Sequence, residues 1–174
     1  MFRNLLKFFS LPFVLAPLIL VSVLVYLRYI EKRTLFYPSS SIDILPNQLG
    51  LEFEDVFFET SDKVVLHGWF VPARRPKATV LFCHGNAGNI SHRIAKIKVL
   101  NELGCSVFLF DYRGYGRSRG SPSERGLYRD VRAAYAYLLH RGLKPSGVIG
   151  YGESIGGAVM IDFGHDHEIG GLIL

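Results

Sequence analysis

The chain is poor in cysteine, with two in 174 residues, Cys83 and Cys105. Both lie in apolar, strand-like runs, where a free cysteine packs as a small hydrophobe, so a disulfide framework is not indicated. That usage fits a reducing compartment. Internal repeats and low-complexity tracts are missing. No stretch interleaves basic and aromatic side chains in the manner of a nucleic-acid surface, so nucleic acid is not expected as a partner. The charge balance is modest, with 20 basic against 15 acidic residues and a net +5. Arg113, Arg117, Arg119, Arg125, Arg129 and Arg132 fall in one region. They read either as a contact for anionic lipid headgroups or as a solvated loop and helix face. His165-x-His167 has the spacing of a metal pair, but polar residues at a helix end read the same way, and no metal or cofactor is expected.

What the chain has in excess is apolar residues, 49% of the total, with a mean hydropathy of +0.22. The excess sits at the front. From Phe8 to Leu27 there is no charge over about twenty residues, enough to cross a hydrocarbon layer of ~30 Å as a helix. A cleaved signal peptide and a buried core helix are the competing readings. The run is long for a signal-peptide core, and bulky Val25-Tyr26-Leu27-Arg28 replaces an Ala-x-Ala-like cleavage site. Pro12 and Pro17 are tolerable in a membrane helix. Residues 1–34 therefore read as an uncleaved single-pass anchor in contact with membrane lipids. Arg3 and Lys7 before the run nearly balance Arg28, Lys32 and Arg33 after it, so the charges do not orient it.

Residues 35–174 read as one domain, with 29–50 as a connector. Strands are expected over 51–60 and 64–71, paired as an antiparallel hairpin. The pattern then becomes continuous apolar runs, as in strands buried on both faces: 78–83, 106–110, 147–151 and 171–174. Between them Ile90, Ile94, Ile97 and Leu100 repeat at helical spacing, as do Leu127, Val131, Tyr135 and Leu138. Ser121, Pro122 and Glu124 look like the N-cap, first turn and capping box of that second helix. A third helix runs from Ile155 to about 163. The order predicts an α/β fold: a hairpin, then a parallel sheet with helices on both faces. Sites in such sheets lie at the carboxyl ends of the strands. Three polar clusters fall there: 84–89, 111–116, and Gly152-Glu153-Ser154-Ile155-Gly156.

The last of these is the most specific. A Gly-x-Ser-x-Gly match alone arises by chance in roughly one such chain in ten. Placed between a strand and a helix, it has the pattern of a nucleophile elbow, which projects a serine hydroxyl from the sheet edge. Attack by Ser154 on an acyl carbonyl would create an oxyanion. The backbone N–H of Ile155, at the helix start, is one candidate donor, and Asn86 in the loop after the 78–83 strand is the other. A glycine-rich turn serving only close packing is the alternative.

Together, His84-Gly85-Asn86-Ala87-Gly88-Asn89, Asp111-Tyr112-Arg113-Gly114-Tyr115-Gly116-Arg117-Ser118 and Gly150-Tyr151-Gly152-Glu153-Ser154-Ile155-Gly156-Gly157 resemble the α/β-hydrolase superfamily. The likeness is to its membrane-anchored Bem46-like and ABHD-type branch. It implies a Ser-Asp/Glu-His triad with Ser154 as nucleophile, and oxyanion donors at Asn86 and Ile155. It implies that His84 and the Asp111–Ser118 loop shape the site. It also implies that the 78–83 strand lies between the strands leading to Asp111 and Ser154, with Cys83 and Cys105 near opposite ends of neighbours. The activity implied is hydrolysis of esters or thioesters of lipid or lipid-modified substrates through an acyl-enzyme, with a serine peptidase on the same triad as an alternative. In the family the acid and the histidine follow the last strands of the sheet, so they are expected beyond Leu174. Asp162, His165, Asp166 and His167 are poor substitutes, because the helix leaving Ser154 carries them away from it. His92 and His140 lie on helices with no chemistry nearby. The remaining reading is a truncated or degenerate non-catalytic homologue; exposed apolar surface, poor solubility and no activity are expected of residues 1–174 alone.

Overall fold

The computed structural model describes residues 2–174, with side chains described for residues 13–30 and 34–174. It divides into two compact units, the second spanning Tyr37–Leu174. In the first, a single helix α1 covers Phe2–Thr34. Its stretch Phe13–Ile30 is long and apolar enough to cross a membrane, and none of it is buried.

The second unit is built on six strands: β2 (Glu54–Glu59), β3 (Val65–Val71), β4 (Ala78–Cys83), β6 (Cys105–Asp111), β7 (Val148–Gly152) and β8 (Gly171–Ile173). Their spatial order is β2-β3-β6-β4-β7-β8. The hairpin β2–β3 is antiparallel and joins β6 antiparallel, while β6, β4, β7 and β8 run parallel. Helix α2 (Ile94–Glu102) links β4 to β6, α3 (Glu124–His140) links β6 to β7, and α4 (Ile155–Asp166) links β7 to β8. A separate two-stranded parallel pair joins β1 (Tyr37–Pro38) to β5 (Ala87–Gly88).

Alternation along the central strands feeds two cores. Trp69, Val71, Val80, Phe82, Val107 and Leu109 pack with Ile90, Ile94 and Ile97 on the α2 side. Phe108 lies against Phe58 and Tyr137 of α3, and Tyr135 meets Phe163 of α4 edge-on. Each fully buried aliphatic or aromatic side chain contributes about 1.5–3 kcal/mol. Trp69 is fully buried and donates its indole N–H to Asp55 at 3.0 Å.

Cys83 pairs with Gly152 and Cys105 with Ala78, so the two thiols sit at opposite ends of neighbouring strands, and both are free. The apolar face expected of α3 is buried at Leu127, Val131, Tyr135 and Leu138. Apolar side chains are exposed at Ile161, Leu172, Ile173 and Leu174.

Two local expectations are corrected. The cap of α3 is Ser123, not Ser121; its hydroxyl accepts the Gly126 N–H at 3.2 Å. The start is fixed from inside. Gly126 packs on the Arg113 side chain, and one turn later the buried Asp130 takes that guanidinium at 2.8 and 2.9 Å. The segment Ile90–Arg93 is a 3-10 turn before α2, because Asn89 caps it by bonding Ser91 only two residues on. The connector 29–50 contributes the end of α1, strand β1 and a 3-10 turn at Pro46–Leu49.

Candidate active site

Ser154 stands at the junction of β7 and α4, with φ 55° and ψ −118°. A serine rarely adopts that backbone, at a cost of about 1–3 kcal/mol. The turn is held there by close packing. A Cβ on Gly156 would overlap the Cys83 carbonyl, and one on Gly152 would meet Gly157 Cα at 2.5 Å. The Glu153 N–H donates to that same Cys83 carbonyl at 2.9 Å. The hydroxyl-bearing residue is therefore pushed outward. Ser154 is exposed and caps no helix N–H with its side chain. Behind it, the Gly156 and Gly157 N–H groups are taken by the Glu153 and Ser154 carbonyls at 2.9 and 2.8 Å. The Ile155 N–H, one residue into α4, has no such backbone acceptor among the described residues. It heads the helix dipole beside the hydroxyl.

The loop carrying Asn86 lies against this turn: a Cβ on Gly85 would meet Glu153 Oε1 at 3.3 Å. Every carbonyl from His84 to Gly88 is held by a donor. Tyr112 OH takes His84 O at 3.1 Å, and the His84 imidazole takes Gly85 O at 2.7 Å. Asn86 O accepts from the Tyr37 N–H at 3.0 Å and from Tyr115 OH at 2.8 Å. Arg93 takes Ala87 O at 2.7 Å, and the Ser39 N–H takes Gly88 O at 3.0 Å. In a trans peptide the N–H points opposite to the preceding carbonyl. The His84–Gly85 bond thus fixes the direction of the Asn86 N–H, and with it the donor that sequence reasoning singled out.

The two pieces are also tied by charge. Glu153, next to the serine, bonds Lys96 at 2.7 Å and faces Arg93 at 3.5 Å. Partial burial pushes its carboxyl up, but Lys96 and Arg93 outweigh that and hold it below the usual range. Sequence reasoning missed this link, since residues sixty positions apart carry no local pattern.

It also missed a buried polar cluster. Asp111, fully buried at the end of β6, accepts the Ile90 N–H at 3.0 Å. His84 Nε2 lies 3.5 Å from one of its oxygens and His67 Nδ1 3.7 Å from the other. His67 continues to Asp55 at 2.6 Å. Burial raises the Asp111 carboxyl, but the two imidazoles and the Ile90 N–H draw it below its ordinary range. A Cβ on Gly116 would overlap this carboxylate, which explains that glycine in the 111–116 cluster. His67 sits in a strand without a motif and gave no signal beyond its alternation.

The arginine cluster is largely committed to protein carboxylates. Arg113 is buried between Asp62 and Asp130, Arg129 pairs with Asp62 at 3.0 Å, Arg117 with Asp55 at 3.2 Å, and Arg132 with Asp162 at 3.0 Å. That favours the solvated-face reading over a lipid contact. His92, expected to have no chemistry nearby, bonds Asp43 at 2.9 Å. His167 bonds the Phe163 carbonyl of its own helix, and no histidine is hydrogen-bonded to the Ser154 hydroxyl among the described residues.

An exposed serine on a strained strand-to-helix turn, backed by a helix N-terminus and an adjoining pinned loop, has the form of the elbow of an α/β-hydrolase fold. A family model described as serine aminopeptidase, S33 matches residues 74–174. The chain belongs to this hydrolase family, within its Bem46-like branch. It is 37% identical to protein bem46 of Schizosaccharomyces pombe over 91% of its length and 55% of that protein's. It is 42% identical to the alpha/beta hydrolase domain-containing protein WAV2 of Arabidopsis thaliana over 70% of its length and 41% of that protein's. The chain thus spans about half the length of these relatives. Among solved structures, the Pyrococcus furiosus esterase Pf2001 superposes with a TM-score of 0.63 at 26% identity, covering 78% of this chain and 54% of the esterase. An α/β hydrolase from Vibrio vulnificus superposes with a TM-score of 0.66 at 27% identity, covering 76% and 50%.

Proposed function

We propose that this hydrolase is a membrane-anchored serine esterase or thioesterase, with Ser154 as its nucleophile and the Ile155 and Asn86 N–H groups as oxyanion donors. The observation that carries this is the strained, exposed Ser154 at the head of α4. Strain of that kind persists where the surrounding packing serves a purpose other than stability. In the reaction, a general base takes the Ser154 proton as Oγ bonds the acyl carbon. The base returns the proton to the departing alcohol or thiol, and water then releases the acid by the same steps reversed. The family pattern supplies base and acid after the last strands, in the length by which the relatives exceed the aligned half. The esterase neighbours support an ester rather than an amide. The apolar stretch of α1 supports residues 1–34 as a single-pass anchor, residues 35–174 as the hydrolase domain, and a lipid or lipid-modified substrate.

The serine aminopeptidase description of the matching family favours a second reading, hydrolysis of an N-terminal peptide bond by the same serine. A fluorophosphonate probe tests the common part. It is expected to phosphonylate Ser154 in detergent-solubilised membranes, and Ser154→Ala should abolish the adduct. A folded protein in which Ser154 never reacts would overturn the reading in favour of a non-catalytic homologue. Turnover of p-nitrophenyl acyl esters against aminoacyl p-nitroanilides separates esterase from peptidase.

A further inference from the structure

We propose that Tyr37–Asp43 is a positioning strap for the oxyanion loop, anchored by Asn89. The proposal rests on the reading of Asn86 and Ser154 as an acyl-transfer site. The strap lies in parallel register on the loop, Tyr37 opposite Ala87 and Pro38 opposite Gly88. It supplies the Tyr37 N–H to the Asn86 carbonyl and the Ser39 N–H to the Gly88 carbonyl. These two bonds fix the Asn86–Ala87 and Gly88–Asn89 peptides, the first of them immediately after the candidate donor. Between Tyr37 and Ser41 the strap bonds residues 86, 88 and 89, and its Ser39 carbonyl also accepts the Gly116 N–H at 2.9 Å. This pair is separate from the main sheet. Its conformation is thus set by what lies on it.

Asn89 is fully buried, and both ends of its amide are spent. Nδ2 donates to the Ser39 carbonyl at 3.1 Å and to the Ser41 carbonyl. Oδ1 accepts from the Ser91 N–H and hydroxyl at 2.9 and 2.6 Å. One side chain therefore bolts the strap to the turn that ends the loop. Asp43 closes the far end. Its N–H reaches Ser91 Oγ at 3.1 Å, and its carboxylate takes the His92 Nε2–H at 2.9 Å while His92 Nδ1 accepts the Asn89 N–H at 3.3 Å. The strap begins at Tyr37, and α1 ends at Thr34. The segment that leaves the apolar helix is consequently part of the catalytic loop's support, and displacing it disarms the site without touching Ser154.

The test uses, in detergent, the protein carrying the downstream sequence in which the base and acid are expected. Asn89→Asp keeps the shape but turns two donors into acceptors facing two carbonyls. Backbone hydrogen exchange in residues 84–90 is expected to rise about tenfold or more, with residues 105–111 of β6 unchanged. Ser154 phosphonylation should slow about tenfold. His92→Phe should give a smaller effect of the same pattern, whereas His92→Gln, which keeps a donor toward Asp43, should restore wild-type behaviour. Faster exchange in the strap with none in residues 84–90 would overturn the proposal, as would equal behaviour of the Phe and Gln variants or loosening spread evenly over the sheet. A wild-type chain that resists the fluorophosphonate while showing the localised exchange pattern would sink the esterase reading and leave the strap in place.

Discussion

If Ser154 is held in a strained backbone by its neighbours, glycine at that position should make the protein more stable. The geometry is specific: φ 55° with ψ −118° suits glycine and penalises any residue with a Cβ by about 1–3 kcal/mol. Ser154→Ala removes the hydroxyl and keeps the strain. Since the side chain is exposed and caps nothing, its stability should stay within about 0.5 kcal/mol of wild type. Ser154→Gly removes both. Against the relief stands the greater freedom of glycine in the unfolded chain, about 0.4–1 kcal/mol. The net expectation is that the glycine variant exceeds the alanine variant by about 0.5–2 kcal/mol. For a domain of this size that raises the melting temperature by about 2–6 °C. Trp69, the only tryptophan and fully buried, reports the transition by fluorescence in detergent. Both variants should lose phosphonylation. A glycine variant no more stable than the alanine variant would refute the strain, and with it the observation on which the functional reading stands.

Arg113→Met should destabilise by about 3–5 kcal/mol, because Asp130 would be left fully buried with the Arg113 backbone N–H as its remaining donor; thermal unfolding measures it, and the double variant with Asp130→Leu should recover much of the loss. Cys83, whose thiol burial pushes far above its usual range, should resist iodoacetamide at pH 8 until the fold opens, as read by mass spectrometry of the alkylated peptides. Tyr115 is pushed up to about 12, chiefly by burial, against an ordinary value near 10. Between those values the folded state keeps a proton that the unfolded state has lost, so stability should fall as pH rises from about 10 to 12, and Tyr115→Phe should flatten that limb in denaturant titrations.

The fold was legible wherever one segment's own pattern decided the outcome. Runs such as Val80–Cys83 and Val107–Phe110 declare buried strands, and Leu127, Val131, Tyr135 and Leu138 declare one face of a helix. The start of α3 was misread because Ser121 and Ser123 offer equal local caps. The choice between them is made by Arg113 and Asp130, which meet only in the folded sheet. The same reason explains His67, whose contacts with Asp55 and Asp111 depend on the register of β2, β3 and β6. In the site, Ser154 and Ile155 were legible from spacing, because the turn and its helix are contiguous. Asn86 was legible from topology and motif together. What holds the Asn86 loop was not: Tyr37 and Arg93 lie in segments without a motif, and the motifs that contain Tyr115 and Glu153 do not show that these two meet the loop and its Arg93.

That division has a physical basis. A nucleophile on a sharp turn needs local sequence features, small residues before and after it, because the clashes it avoids are with its own strand and helix. An oxyanion donor on a loop needs its direction fixed, and a loop has no regular hydrogen-bond ladder to fix it. The carbonyls from His84 to Gly88 must therefore be satisfied one by one from outside, by an imidazole, two phenols, a guanidinium and two strap N–H groups. Preorganised donors act without reorganising as charge develops, so under the proposed function each of these residues would bear on the rate through orientation. Substitutions at His84, Tyr115 or Arg93 should then reduce turnover more than substrate affinity, whereas changes to the substrate pocket should do the reverse.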